Sequence, residues 1–210
     1  MPETPARAFA SDTPLPTLAE IANLWDAHAM LANIRRHSEV VCAVALLINE
    51  WLAEAGVTLN RQAIKAGALL HDLAKTPCLG SPRRHDLEGG DILRELGFAE
   101  LAYLVQSHVI LPAGQPLDET MVVYYADKRV NHDSLVNLNQ RYAYIADRYG
   151  KKDPQLLERI AQGRQRALQV ERLIFASMGH QHTPDEVTRR WREKDTVWQE
   201  DCIQKDINHG

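Results

Sequence analysis

Cysteine is scarce in this chain of 210 residues. Cys42, Cys78 and Cys202 are an odd number, and none belongs to a CxxC pair. That excludes a disulfide framework and a cysteine zinc ribbon, and it suits a reducing compartment. Long apolar runs are missing too: the longest, Val40 to Ile48, falls far short of the ~20 residues that cross a bilayer. The N-terminus, Met-Pro-Glu-Thr-Pro-Ala-Arg, lacks the apolar stretch of a secretory signal. Positive charge is not in excess. The net charge of −4 gives no global basic footprint, which disfavours general nucleic-acid binding through phosphate neutralisation. Period-two alternation is rare, with Met121 to Tyr125 as the one strand-like run. The expectation is a cytoplasmic protein with no membrane partner.

What is present reads as a globular chain. Hydrophobic residues make up 45 % and charged residues 25 %, which suits one domain with an added arm. Nine histidines are the compositional outlier, a pointer to metal or acid–base chemistry. Residues 1–16 hold Pro2, Pro5, Pro14 and Pro16 and read as a mobile tail. Helix grammar begins at the capping box Thr17-Leu-Ala-Glu. Gly56, Gly97, Gly150 and Gly179 each follow a helical run, as C-terminal caps do. Asp118, Asp153-Pro154 and Thr183-Pro184 are start signals. Met121 to Tyr125 is read as helix, because a cap precedes it and Ala-Asp-Lys-Arg continues it. The prediction is an all-α bundle over 17–182, followed by an arm over 183–210. In that arm Val187, Trp191, Trp198 and Cys202 fall in a ~60° stripe at helical pitch, an amphipathic helix that docks on its own core or forms a homodimer interface.

Four apolar helices each carry one polar group at an end. Arg61 to Lys75 is read as a single helix, apolar nearly all round until His71-Asp72. A buried carboxylate there must be paired or metal-bound. His37 opens the run Val40 to Ile48, His108 closes Leu101 to Val105, and Asp127 closes Met121 to Ala126. Any one alone is an ordinary core residue. Together they predict convergence on one site, and mixed imidazole and carboxylate ligands suit Fe, Mn, Zn, Co or Ni rather than calcium or magnesium. The other histidines, His28, His132, His180, His182 and His209, have no motif context, and His180 and His182 are read as exposed.

The ordered set His37, His71-Asp72 and Asp127, in the contexts Ala-Gly-Ala-Leu-Leu-His-Asp-Leu-Ala-Lys and Tyr-Tyr-Ala-Asp-Lys, resembles the H…HD…D signature of the HD-domain metal-dependent phosphohydrolase superfamily. The resemblance covers residues 20–180 and implies an all-α HD bundle. It implies a first metal on His37, His71, Asp72 and Asp127. Asp72 would bridge to a second metal on His85 and His108. Lys75, in the HDxxK form of the motif, would meet the substrate phosphate, with Arg84, Lys128, Arg129 and Arg141 (and Arg83) as further cations. Asp72, Lys75 and Asp127 would be the catalytic groups, with one or two metal ions activating water against the phosphorus of a phosphoester or phosphoanhydride. The implied substrate is a small phosphorylated molecule, a nucleotide by preference. In the relatives that cleave diadenosine tetraphosphate, a His-Thr-Thr-Gly segment stands where this chain has Ser107-His108-Val109-Ile110, which keeps only the histidine. Two other readings stay open: a one-metal nucleoside-monophosphate phosphatase with His85 and His108 as substrate contacts, and a non-catalytic nucleotide-binding module of the same fold.

Overall fold

The computed structural model describes residues 9–150, 153–179 and 181–192. Its elements are α1 (Leu18–Ala27), α2 (Ala32–Glu54), α3 (Arg61–Leu70), the single turn α4 (Lys75–Cys78), α5 (His85–Glu95), α6 (Ala99–Ser107), α7 (Glu119–Lys128), α8 (Leu138–Ile145), a π-helical turn (Ala146–Gly150), α9 (Pro154–Ser177) and α10 (Pro184–Arg192). A two-stranded hairpin, β1 (Val130–Asn131) and β2 (Ser134–Leu135), interrupts the helices. Among the described residues no helix is long and apolar enough to cross a membrane.

Helix α2 is the axis of the bundle. From Val40 to Ile48 every residue is buried, so the helix must be covered on all sides. Helices α3 and α7 cover it, and α6 packs on both of these. Gly67 lets α3 approach α6 closely, since a Cβ there would lie 2.6 Å from Leu104 Cδ2. The N-terminal signals work as spelled. Thr17 forms its capping box with Glu20, Asp118 accepts from the Met121 amide, and Asp153 accepts from Gln155 and Leu156. Met121 to Tyr125 is helical within α7.

The structure departs from the sequence reading at several points. The helix expected to run to Lys75 stops at Leu70. His71 to Ala74 form a tight turn instead, with Leu73 N–H donating to Leu70 O at 3.0 Å. Pro77, just beyond, has no N–H to continue an α-helical ladder to Leu73. Gly56, Gly97 and Gly179 do take the left-handed cap conformation. Gly150 does not; a Cβ there would press on the end of the exposed Leu157 side chain. The expected tail includes Phe9, which is buried in the core. His182, read as exposed, stacks on Trp51 with ring centroids 4.1 Å apart. Within the arm, Val187 is buried and Trp191 packs against the core. His180, Trp198, Cys202 and His209 lie outside the described residues.

Asp118 caps α7 at a cost. Burial pushes its carboxyl up to about 6 from 3.8. The native state therefore holds a proton that the unfolded chain has already lost in that window, and stability falls as pH rises through it. Asparagine caps equally well without the charge. Asp118→Asn is expected to stabilise the protein by about 2 kcal/mol near neutral pH and hardly at all near about pH 4. Urea unfolding at both pH values checks this. Equal gains at the two would show that buried charge is not the cause.

Candidate metal centre and cleft

Five helix ends meet at one point. His37 comes from the second turn of α2 and His71-Asp72 from the turn after α3. His85 opens α5, His108 caps the end of α6, and Asp127 lies in the last turn of α7. All are buried except His85, whose side chain is 28 % exposed. Asp72 stands at the centre. Its Oδ2 lies 3.8 Å from His37 Nε2 and 3.5 Å from His71 Nε2. Its Oδ1 lies 3.2 Å from His85 Nε2 and 3.6 Å from His108 Nε2. Asp127 Oδ1 completes the first set, 3.1 Å from His37 Nε2 and 3.8 Å from His71 Nε2. Two groups that could each hold an ion result, His37–His71–Asp72 and Asp72–His85–His108, sharing one carboxylate.

The histidine tautomers follow from the backbone. Nδ1 of His37 donates to His132 O at 2.7 Å, Nδ1 of His71 to Ala68 O at 2.7 Å, and Nδ1 of His108 to Val105 O at 2.6 Å. A carbonyl only accepts, so the proton sits on Nδ1 and Nε2 presents a lone pair. Those lone pairs point at one another and at carboxylate oxygens. His85 and His108 bring their Nε2 atoms within 3.3 Å, and the buried Nε2 of His71 has no hydrogen-bond partner. Acceptors facing acceptors repel until a cation lies between them. Burial also takes the His71 imidazole down to about 3, so a proton does not fill that role at neutral pH. Two ligand atoms ~2.1 Å from one ion stand ~3.0–3.4 Å apart, close to the spacings here. The donor set fits a borderline divalent ion.

Each carboxylate has a lysine beside it. Lys75 Nζ donates to Asp72 Oδ2 at 2.6 Å and Lys128 Nζ to Asp127 Oδ2 at 2.6 Å. Burial alone would raise the Asp72 carboxyl, but the Lys75 ammonium beside it outweighs this and holds it well below the ordinary range. Asp127 is likewise lowered against its burial, chiefly by Lys128, with Arg141 adding to it.

The site is the floor of a cleft of about 440 Å³. Of the predicted substrate cations, Lys75, Lys128 and Arg141 line it. Lys128 is largely committed, since its ammonium also donates to His108 O at 2.9 Å. Arg141 donates to Asn131 Oδ1 at 3.0 Å and lies 3.8 Å from Asp127, while its Nε is buried with no hydrogen-bond partner. Two expectations are corrected. Arg84 is not among the cleft-lining residues and pairs with Asp86; Arg83, beside it, bonds Pro77 O and Glu88. Arg129 is buried on the far side of α7, where it bonds Tyr125, Val136, Pro184 and Thr188.

Sequence reasoning missed His132, Tyr144, Arg148 and Tyr149, which also line the cleft. His132 acts through its backbone carbonyl, which motif spacing cannot reveal. Tyr144 and Arg148 were within reach: from the cap at Asn137, Arg141, Tyr144, Ile145 and Arg148 recur at helical spacing on one face.

A family model for the HD domain matches residues 36–152. No curated protein and no solved structure matches the chain. The matched stretch is more than half of the sequence and includes all six clustered residues, from His37 to Asp127, so the chain belongs to the HD-domain family, whose members bind divalent metal ions and form a superfamily of metal-dependent hydrolases.

Proposed function

We propose that the protein is a metal-dependent phosphohydrolase acting on a small phosphorylated substrate, a nucleotide by preference, with His37, His71, Asp72 and Asp127 holding one ion and Asp72, His85 and His108 a second. The observation that carries this reading is Asp72: its two oxygens are divided between two pairs of imidazole Nε2 atoms at the floor of a cation-lined cleft. The bound ions supply Lewis acidity, which makes water a stronger nucleophile and draws charge from the phosphoryl oxygens. The chain's own groups position and neutralise. Lys75, with its side chain 38 % exposed, reaches from Asp72 towards the cleft and meets a phosphoryl oxygen. Arg141, which lines the same cleft, offers its guanidinium charge to the same anion. The Nδ1 bonds to backbone carbonyls keep the three imidazoles from turning. Hydrolysis forms a bond from the water oxygen to phosphorus, breaks the bond to the leaving oxygen, and delivers a water proton to that oxygen.

The test is a screen of nucleotides and simple phosphoesters after reconstitution with Mn, Fe, Co, Ni or Zn, with metal content measured in parallel. Turnover that a chelator removes and metal restores is the expected result. Two equivalents of metal, falling to one in His108→Ala, are expected of the two-ion site; one equivalent in both proteins points to a single ion with His108 as a substrate contact. Bound metal without hydrolysis of any ester would leave the family's fold as a binding module and overturn the reading.

A further inference from the structure

The floor of the cleft is polar, and Asn33 and Arg148 add exposed polar groups at its edge. Its rim carries exposed apolar side chains: Leu31 (45 %), Leu79 (59 %), Val109 (39 %) and Tyr149 (58 %) all line it. Single exposed apolar residues are ordinary on a surface, but several gathered around one cleft mark a binding patch. Tyr144 is held in place at this rim. Its hydroxyl lies 3.0 Å from His132 Nε2, the two rings meet edge to face at 5.5 Å, and Arg148 Nη1 donates to the same hydroxyl at 3.0 Å. The Arg148 guanidinium carbon lies 6.0 Å from the Tyr144 ring centre and 5.6 Å from that of Tyr149.

Local backbone geometry is unusual on both sides of this group. Arg148 and Tyr149 sit in the π-helical turn, a winding found mostly at functional sites. His132 has a φ of 57°, a left-handed conformation that a residue with a side chain adopts at a cost. Arg141, beside the metal ligands, and Arg148 are seven residues apart on one continuous face, on the order of 10 Å at helical rise.

We propose that Tyr144, Arg148 and Tyr149 form the wall that selects the organic half of the substrate, and that this half is a planar heteroaromatic base. The proposal rests on the phosphohydrolase reading and deepens it. A phenol ring and a guanidinium plane are flat surfaces on which a base stacks, and the free donors of Arg148 meet base carbonyl or ring-nitrogen acceptors. A sugar phosphate has no flat apolar face to match them.

The experiment compares kcat/KM for nucleoside 5′-monophosphates with that for ribose 5-phosphate, in the wild type and in Tyr149→Ala and Arg148→Ala. The ratio favouring nucleotides is expected to fall about tenfold in each variant, the scale of one lost stacking contact. General damage to the fold would lower both values and leave the ratio alone. An unchanged ratio overturns the proposal, as does a wild type that shows no preference for nucleotides. Calorimetric titration with adenosine 5′-monophosphate reads the same wall without turnover. If no ester is hydrolysed, the phosphohydrolase reading fails, while weaker nucleotide binding in Tyr149→Ala still supports the wall and equal binding overturns it.

Discussion

Replacing Asp72 with asparagine is expected to lower kcat/KM by about a thousandfold or more and to leave the purified protein with background metal. Both carboxylate oxygens face imidazole Nε2 atoms, one pair on each side, so no neighbouring group can take over. The fold should survive. An amide of the same shape presents an N–H₂ to one pair of histidines, which offsets part of the acceptor repulsion. Lys75 loses its partner, but its side chain is partly exposed and can turn towards solvent. Elemental analysis, turnover and thermal unfolding on the same preparation separate these effects. Wild-type metal content in Asp72→Asn would refute the shared-carboxylate site outright.

The second large effect concerns stability. Arg129 is 1 % exposed and joins four segments. Its Nε donates to Val136 O at 2.8 Å, its Nη1 to Tyr125 Oη at 2.6 Å, and its Nη2 to Pro184 O and Thr188 Oγ1, each at 3.0 Å. Tyr125 in turn donates to Glu171 at 2.7 Å, and the Glu171 carboxylate lies 3.9 Å from the guanidinium. Methionine fills much of the volume but leaves four acceptor oxygens without their donor and one carboxylate without its counter-charge. Arg129→Met is expected to destabilise the chain by about 3–5 kcal/mol, which for a chain of this length lowers Tm by roughly 10 °C. Arg129→Lys should recover little, because one ammonium cannot reach partners in so many directions. A shift in the urea midpoint at unchanged slope is the readout. A loss below about 1 kcal/mol would mean that solvent or the neighbouring chain replaces these bonds.

The same residue shows where sequence was informative and where it was not. The clustering of His37, His71, Asp72, His108 and Asp127 was readable because each polar group closes or opens an apolar helix, and helix periodicity is local. Arg129 was misread because it stands beside Lys128, yet two helical steps from Asp127 are ~200°, which turns it to the opposite face. That signal was available. The position of His132 was not. Its carbonyl meets His37 across 95 residues, through a hairpin of two short strands that leaves almost no pattern. The break at His71 is an intermediate case. Pro77 announces a boundary, but the apolar periodicity of α3 runs straight through it.

The clustered histidines and aspartates are spread over much of the chain: His37 and Asp127 are 90 positions apart. Ions held between them would act as removable cross-links among α2, α3, α5, α6 and α7. Because the unfolded chain does not gather these side chains, folding and loading are one equilibrium, and the native state gains about 2.7 kcal/mol when free metal is a hundred times its Kd. On the proposed reading, the reservoir of free metal around the protein would set how often the bundle opens as well as how fast it turns over. Two populations of the same chain, one loaded and one bare, would differ in lifetime against proteolysis before any difference in chemistry was measured.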